Sequence, residues 1–231
     1  DETEVAAIRE AIRVAEQGFA ALTATLRPTD TEKDLGDLLD GYVRRAGGDG
    51  MAFPTIIGVG ERSALPHANL SARRVESAAF FLVDWGARAG LYHSDLTRVR
   101  WAPGRQWTRD VESRLERMYT VVLEAQRRAI AALRPGVDVK VVDAAARGYI
   151  AEAGFGDYFT LGLGHGIGLE VHEAPAIRVN SDDVLRAGMV VTVEPGVYLP
   201  DFGGVRVEDD VLITPDGPQV LTNVPKDWGS L

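Results

Sequence analysis

The chain of 231 residues carries 25 basic and 34 acidic residues, a net charge of −9, and no basic block or stripe, so a nucleic-acid backbone is excluded as a partner. It has no cysteine, which rules out disulfides, thiolate metal sites and a cysteine nucleophile. A hydrophobic content of 45% suffices for a packed core, but no apolar run approaches the ~18 to 20 residues that span a bilayer, and no signal-peptide pattern opens the sequence. A cytoplasmic protein with no membrane partner is therefore expected. The chain starts on Asp1 and not on Met, so we expect a piece of a longer protein with a domain missing upstream.

Val5, Ile8, Ile12, Ala15, Phe19 and Leu22 recur at helical spacing and predict a first amphipathic helix. After Arg27-Pro28, Thr31 as N-cap, Glu32 in the first turn and the stop Gly47-Gly48 predict a second. FPTIIGVG and LPHANL read as strand and loop, and two strands follow, Phe80 to Trp85 and Tyr92 to Trp101. Val111, Leu115, Met118, Val122 and Ala125 then mark a long helix, and the order of elements begins again. LRPGVDVKVVDAAARGYIAEAG (133–154) matches LRPTDTEKDLGDLLDGYVRRAG (26–47) at an offset of 107 (133 − 26), with Leu, Arg, Pro, Lys, Gly, Tyr, Ala and Gly coinciding. The N-cap Thr31 falls on Asp138, also a good cap. We therefore expect one α+β domain over residues 1–231 made of two similar halves, roughly 1–105 and 106–231, with the functional cleft between them.

Carboxylates stand where such strands end. AAFFLVD runs six apolar residues into Asp84, as a strand does when both its faces are covered, and Asp95 lies beyond the turn GARAG. In the second half GMVVTVEPG places Glu194 in an apolar strand, and GVRVEDDVLI places Glu208 among valines, with Arg206 on the same face by period-2 alternation. Between the acids of the first half and those of the second, GHGIGLEVHE (164–173) sets His165 between two glycines. Four converging carboxylates repel one another unless cations join them, and two divalent ions balance four negative charges. An oxygen-rich set with one histidine suits manganese, iron or cobalt better than a structural zinc; of the two ions expected, manganese is the first choice, with cobalt, iron or zinc as others.

The set Asp84, Asp95, His165, Glu194 and Glu208, with the motifs SDLTR, GHGIGLEVHE, VEPGVY and GVRVED, resembles the metal ligands of the pita-bread metallopeptidases: methionine aminopeptidase, aminopeptidase P, prolidase and the metal-free creatinase. The likeness covers essentially the whole chain. It implies a pseudo-twofold fold around a central antiparallel sheet, with Asp84 on one metal, His165 and Glu194 on the other, and Asp95 and Glu208 bridging. It implies that Glu194 doubles as proton acceptor, that His172 steadies the carbonyl oxygen, and that His67 meets the substrate near the scissile nitrogen. Thr97 is expected to hydrogen-bond a ligand from behind. Arg206, an arginine that the aminopeptidase P and prolidase branch carries in this motif, either pairs with Glu208 or a neighbouring acid or binds substrate, and Tyr198 either contacts substrate or packs. His93 is expected to be a partly exposed polar residue, and Asp209 and Asp210 are expected to be solvated or to support turns.

The resemblance points to an exopeptidase acting on peptides, most naturally at Xaa-Pro bonds; methionine aminopeptidase and an inactive binding module are the alternatives. Two departures bear on substrate. Leu161 stands four residues before His165, where dipeptide-specific relatives often carry histidine. HEAP is followed by Ala176, where prolidases tend to place an arginine for the dipeptide carboxylate. A homodimer that depends on the missing N-terminal domain is the further expectation.

Overall fold

Each half begins with a long helix and a short one. In a computed structural model that describes residues 1–66, 68–104 and 107–226, α1 (Glu2–Thr25) starts on a capping box, the Asp1 carboxylate accepting from the N–H groups of Thr3 and Glu4. Helix α2 (Glu32–Arg45) starts on Thr31, whose hydroxyl accepts from Asp34 N–H. In the second half α3 (Arg109–Ala132) again has 24 residues and α4 (Val139–Glu152) again has 14, capped by Asp138. The offset of 107 read from the sequence thus holds for both helix pairs. Both short helices end at an alanine followed by a glycine in the left-handed region, Gly47 at φ 104° and Gly154 at φ 87°, where a β-carbon would be strained.

The first half continues through β1 (Gly50–Met51), β2 (Ile56–Val59), β3 (Phe80–Trp85), β4 (Ala87–Ala89), β5 (Tyr92–His93) and β6 (Leu96–Trp101). Strands β2, β3 and β6 form an antiparallel sheet with β3 in the middle, and β1, β4 and β5 form a small second one. The expected single strand from Tyr92 to Trp101 is two strands. The chain leaves its ladder at Ser94, whose Oγ accepts from Ala87 N–H, and at Asp95, whose N–H donates to the Asp210 carboxylate. Gly86 makes this crossing possible, since a β-carbon there would lie 1.8 Å from the Ser94 carbonyl oxygen.

In the second half come β7 (Gly164–Gly166), β8 (Glu173–Ile177), β9 (Val190–Val193), β10 (Gly196–Leu199), β11 (Gly203–Arg206), β12 (Asp209–Thr214) and β13 (Gly217–Val220). Five of these make an antiparallel sheet in the order β13-β12-β9-β7-β8, and β10 and β11 form a hairpin. A one-residue antiparallel bridge, Thr97 to Glu208, links the sheet of the first half to the strand run of the second.

Strand β3 explains its own sequence. Phe81, Val83 and Trp85 pack into a core with Phe19, Leu35 and Leu39, while Phe80 and Leu82 pack into the other with Leu115, Met118 and Val142. Both faces are covered, so alternation disappears and an apolar run remains. Each of these large side chains contributes about 1.5–3 kcal/mol by leaving water. Asp84 ends that run. Among the described residues no helix is long and apolar enough to cross a membrane.

Candidate metal and active site

The five residues singled out from the sequence converge. Asp84 is the last residue but one of β3, opposite Thr97 of β6, Asp95 precedes β6, His165 is the middle of β7, Glu194 follows β9 and Glu208 precedes β12. All five, with His172 and Arg206, line one cleft of about 1130 Å³. Ligand atoms of Asp84, Asp95 and Glu208 lie within 4.8 Å of one another, as do those of His165, Glu194 and Glu208, and those of Asp95, His165 and His172. Glu208, Asp95 and His165 each belong to two of these groups.

The electrostatics of the cluster call for a cation. Burial, then the charges of Glu208, Asp84 and Glu194, push the Asp95 carboxyl well above the usual range. Burial, then Glu194 and Asp84, do the same to Glu208. Burial also raises Asp84, against the opposing charge of Arg206. One oxygen of Asp84, Oδ1, is buried with no hydrogen-bond partner. His165 adds a sharper test. Its Nδ1 lies 3.0 Å from the Gly166 carbonyl oxygen and must carry hydrogen to donate to it. The neutral ring then turns the Nε2 lone pair toward Glu194 Oε1 at 3.3 Å and Asp95 Oδ2 at 3.7 Å. Lone pair faces carboxylate, which is stable only with a proton or a metal ion between them. Burial lowers the His165 pKa, but the hydrogen bond and charge of Glu194 outweigh it, and the net shift is upward. The donor set therefore fits divalent metal.

Around the cluster the side chains are fixed. Thr97 Oγ1 donates to Glu208 Oε2 at 2.6 Å, the supporting bond expected of it, and accepts from Arg206 Nε at 2.9 Å. Arg206 is ion-paired with Asp84 and donates to the Tyr198 hydroxyl at 2.7 Å, so its acid partner is Asp84 and not Glu208. Tyr198 lies behind Arg206, 7% exposed and apart from the cleft-lining residues, which favours the packing alternative over substrate contact. Thr192 Oγ1 accepts from His165 N–H at 3.0 Å and donates to Glu194 Oε1 at 3.2 Å. His172 is exposed in the cleft, its ring centroid 4.4 Å from that of His165. His93 bonds the Gly168 carbonyl through its backbone, with Nδ1 3.2 Å from the same oxygen. His67 lies outside the described residues.

Asp209 and Asp210 correct the reading of them as solvated or turn-supporting, because both are 0% exposed. Asp209 is ion-paired with Arg98 at 2.8 Å and with Lys226. Asp210 Oδ2 accepts from Asp95 N–H, and burial pushes its carboxyl up to about 8. The missed signal is the strand itself: GVRV before the acids and VLI after them leave no break at which EDD could reach water. Gln126 and Arg98, both 1% exposed, were missed as well; nothing in their spacing separates them from helix-face and strand-face polar residues.

The family model for metallopeptidase family M24 matches residues 6–215. An Xaa-Pro dipeptidase of Pyrococcus horikoshii is 39% identical over 228 residues, covering 98% of this chain and 63% of that protein. An uncharacterized peptidase of Bacillus subtilis is 40% identical over 224 residues, 97% of this chain and 62% of that one. Among solved structures, an X-Pro aminopeptidase from Thermotoga maritima superposes with a TM-score of 0.91 at 40% identity, over 98% of this chain and 63% of its own. The prolidase from Pyrococcus furiosus does so with 0.90 at 39%, over 97% and 65%. The chain thus spans less than two thirds of each of these proteins.

Proposed function

This chain belongs to metallopeptidase family M24 and has the pita-bread fold, and from that premise we propose that it is a dinuclear metal-dependent exopeptidase cleaving N-terminal Xaa-Pro bonds. The observation that carries the reading is the overlap of the donor groups. Asp84, Asp95 and Glu208 form one, His165, Glu194 and Glu208 another, and Glu208 is common to both. Asp84 would hold one ion, His165 and Glu194 the other, and Asp95 and Glu208 would serve both, with manganese the first choice. When bound, such ions supply Lewis acidity toward the scissile carbonyl and toward water.

The chain's own groups do the rest. Glu194, oriented by Thr192 and lining the cleft, accepts the proton of the attacking water and returns it to the leaving nitrogen. His172 donates to the carbonyl oxygen as negative charge develops there. His67 contacts the substrate beside the scissile nitrogen. Arg206 keeps Asp84 in place and opposes the effect of burial on it.

Substrate length follows from the arginines. Proline within a chain has no amide hydrogen, so an Xaa-Pro site works without a donor from the scissile nitrogen. A strict dipeptidase must also neutralise the carboxylate that follows, usually with an arginine. Position 176 is alanine, and the arginines lining the cleft are engaged, Arg206 with Asp84 and Arg44 with Asp40 at 3.0 Å. Peptides of three or more residues starting Xaa-Pro are therefore cleaved at least as well as Xaa-Pro dipeptides. A panel of Xaa-Pro dipeptides, longer Xaa-Pro peptides and Met-Ala peptides, assayed with manganese, cobalt and zinc, tests this. Cleavage of dipeptides alone would refute the reading of length, and preference for Met-Ala would refute the bond specificity.

A further inference from the structure

Gln126 sits on the buried face of α3, 1% exposed, among Leu115, Met118, Val122, Ala125 and Ala129. Its amide Nε2 lies 3.1 Å from the Val193 carbonyl, 3.2 Å from the Val207 carbonyl and 3.0 Å from Asp209 Oδ2. Val193 immediately precedes Glu194, and Val207 immediately precedes Glu208. One side-chain amide therefore touches the backbone of both segments that deliver the glutamates. Arg98 completes the arrangement from the other side. Its Nη1 donates to the Glu208 carbonyl at 2.6 Å and the Thr97 carbonyl at 2.9 Å, and its Nη2 to Asp209 Oδ1 at 2.8 Å. Asp209 takes one of these groups on each oxygen, with Thr222 at 2.5 Å and Lys226 as further donors.

The first half shows what the position does in apolar form. At the 107-residue offset Gln126 corresponds to Phe19, which stacks at 4.1 Å on Trp85, the residue after Asp84. The same helix position backs an acid-bearing strand in each half, by ring packing in one and by directed hydrogen bonds in the other. Ring packing limits one strand's depth. An amide shared between two carbonyls fixes two strand ends relative to each other, the freedom that matters when their side chains must meet a common ion.

We infer that Gln126, anchored by Asp209 and Arg98, is a positioning residue that sets the spacing of Glu194 and Glu208. The inference rests on the proposed metal roles of those glutamates. Its test is Gln126→Met, which keeps the volume and removes the donors, with Arg98→Lys as the second variant should the first not fold. Manganese titrated into metal-stripped protein by calorimetry, thermal unfolding, and kcat and KM of the manganese-loaded protein on a longer Xaa-Pro peptide are compared with wild type. The expected result is manganese affinity and kcat each about tenfold lower or more, with KM within about twofold. A lower Tm with unchanged affinity and unchanged kcat per folded molecule would reduce Gln126 to a packing residue and overturn the inference. Wild-type protein that takes up neither manganese nor cobalt nor zinc would overturn the metal reading itself, and the inference with it, before any variant is compared.

Discussion

The two halves share helices but not the way they hold the walls of the cleft. In the first, Glu32 opens α2 fully buried and accepts from Val59 N–H at 2.9 Å, Ser71 N–H at 3.0 Å and Arg62 Nε at 2.9 Å, while Arg62 reaches the Asn69 carbonyl at 2.6 Å. The equivalent position in the second half is Val139, a core residue. There the buried acid is Asp143, equivalent to Gly36, and its partner Arg147 donates to the Phe159 and Leu161 carbonyls at 2.7 and 2.8 Å. Each half thus ties a cleft-lining segment, around Asn69 and around Leu161, to its short helix through a buried carboxylate and a partly exposed arginine. The tie starts from different helix positions. Caps and apolar periodicity reproduce a backbone; polar tethers are placed wherever a loop needs them.

The strongest way to break this picture is at the junction of the halves. Glu208→Gln is expected to abolish turnover and to loosen both ions, since a neutral amide bridges poorly; wild-type activity at saturating manganese would remove Glu208 from the site. His172→Ala is expected to lower kcat about 100-fold with metal content unchanged, by analogy with loss of an oxyanion donor. Loss of an ion in that variant, seen by metal analysis, would mean that His172 and His165 exchange roles.

The tethers themselves come next. Glu32→Ala leaves Arg62 and the N–H groups of Val59 and Ser71 without their carboxylate, and Asp143→Ala leaves Arg147 without its own, each at about 3 kcal/mol of stability in denaturant titrations. Both should raise KM, and a marked inequality between them would undo the parallel drawn above. The smallest effect is on the helix surface. Hydrogen bonds from Arg127 and Arg128 lower Glu124 from its ordinary 4.5 to about 2, while the corresponding residue of α1 is Gln17. A carboxylate held low stabilises the fold above pH 4.5 and loses that contribution as pH falls toward 2. Glu124→Gln should therefore flatten the acid limb of stability by less than about 1 kcal/mol, because all three side chains reach solvent.

The sequence was legible where local chemistry decides the outcome. Thr31 and Asp138 mark helix starts by their own side chains, and the run into Asp84 announces a strand covered on both faces. The converging acids were legible because four carboxylates in apolar strands are too costly to keep there unless cations meet them. Illegible features depend on partners distant in the chain. Ser94 and Asp95 leave their strand to bond Ala87 and Asp210, and Arg206 finds Asp84 across 122 residues. Asp209 looks like a surface acid until Arg98 and Lys226 are seen beside it. Spacing along one chain segment carries no trace of such meetings.

The one-rung bridge between Thr97 and Glu208 has a consequence for how the protein responds to its ligands. Asp84 and Asp95 stand on one side of that rung, His165 and Glu194 on the other. Any ion or peptide that spans the cleft therefore acts as an added cross-link between the halves and favours the folded state by mass action. An ion present at a hundred times its Kd adds about 2.7 kcal/mol to folding stability. Saturation with metal should then close the same seam to proteases that it opens to catalysis, making occupancy of the site a property the whole fold can sense.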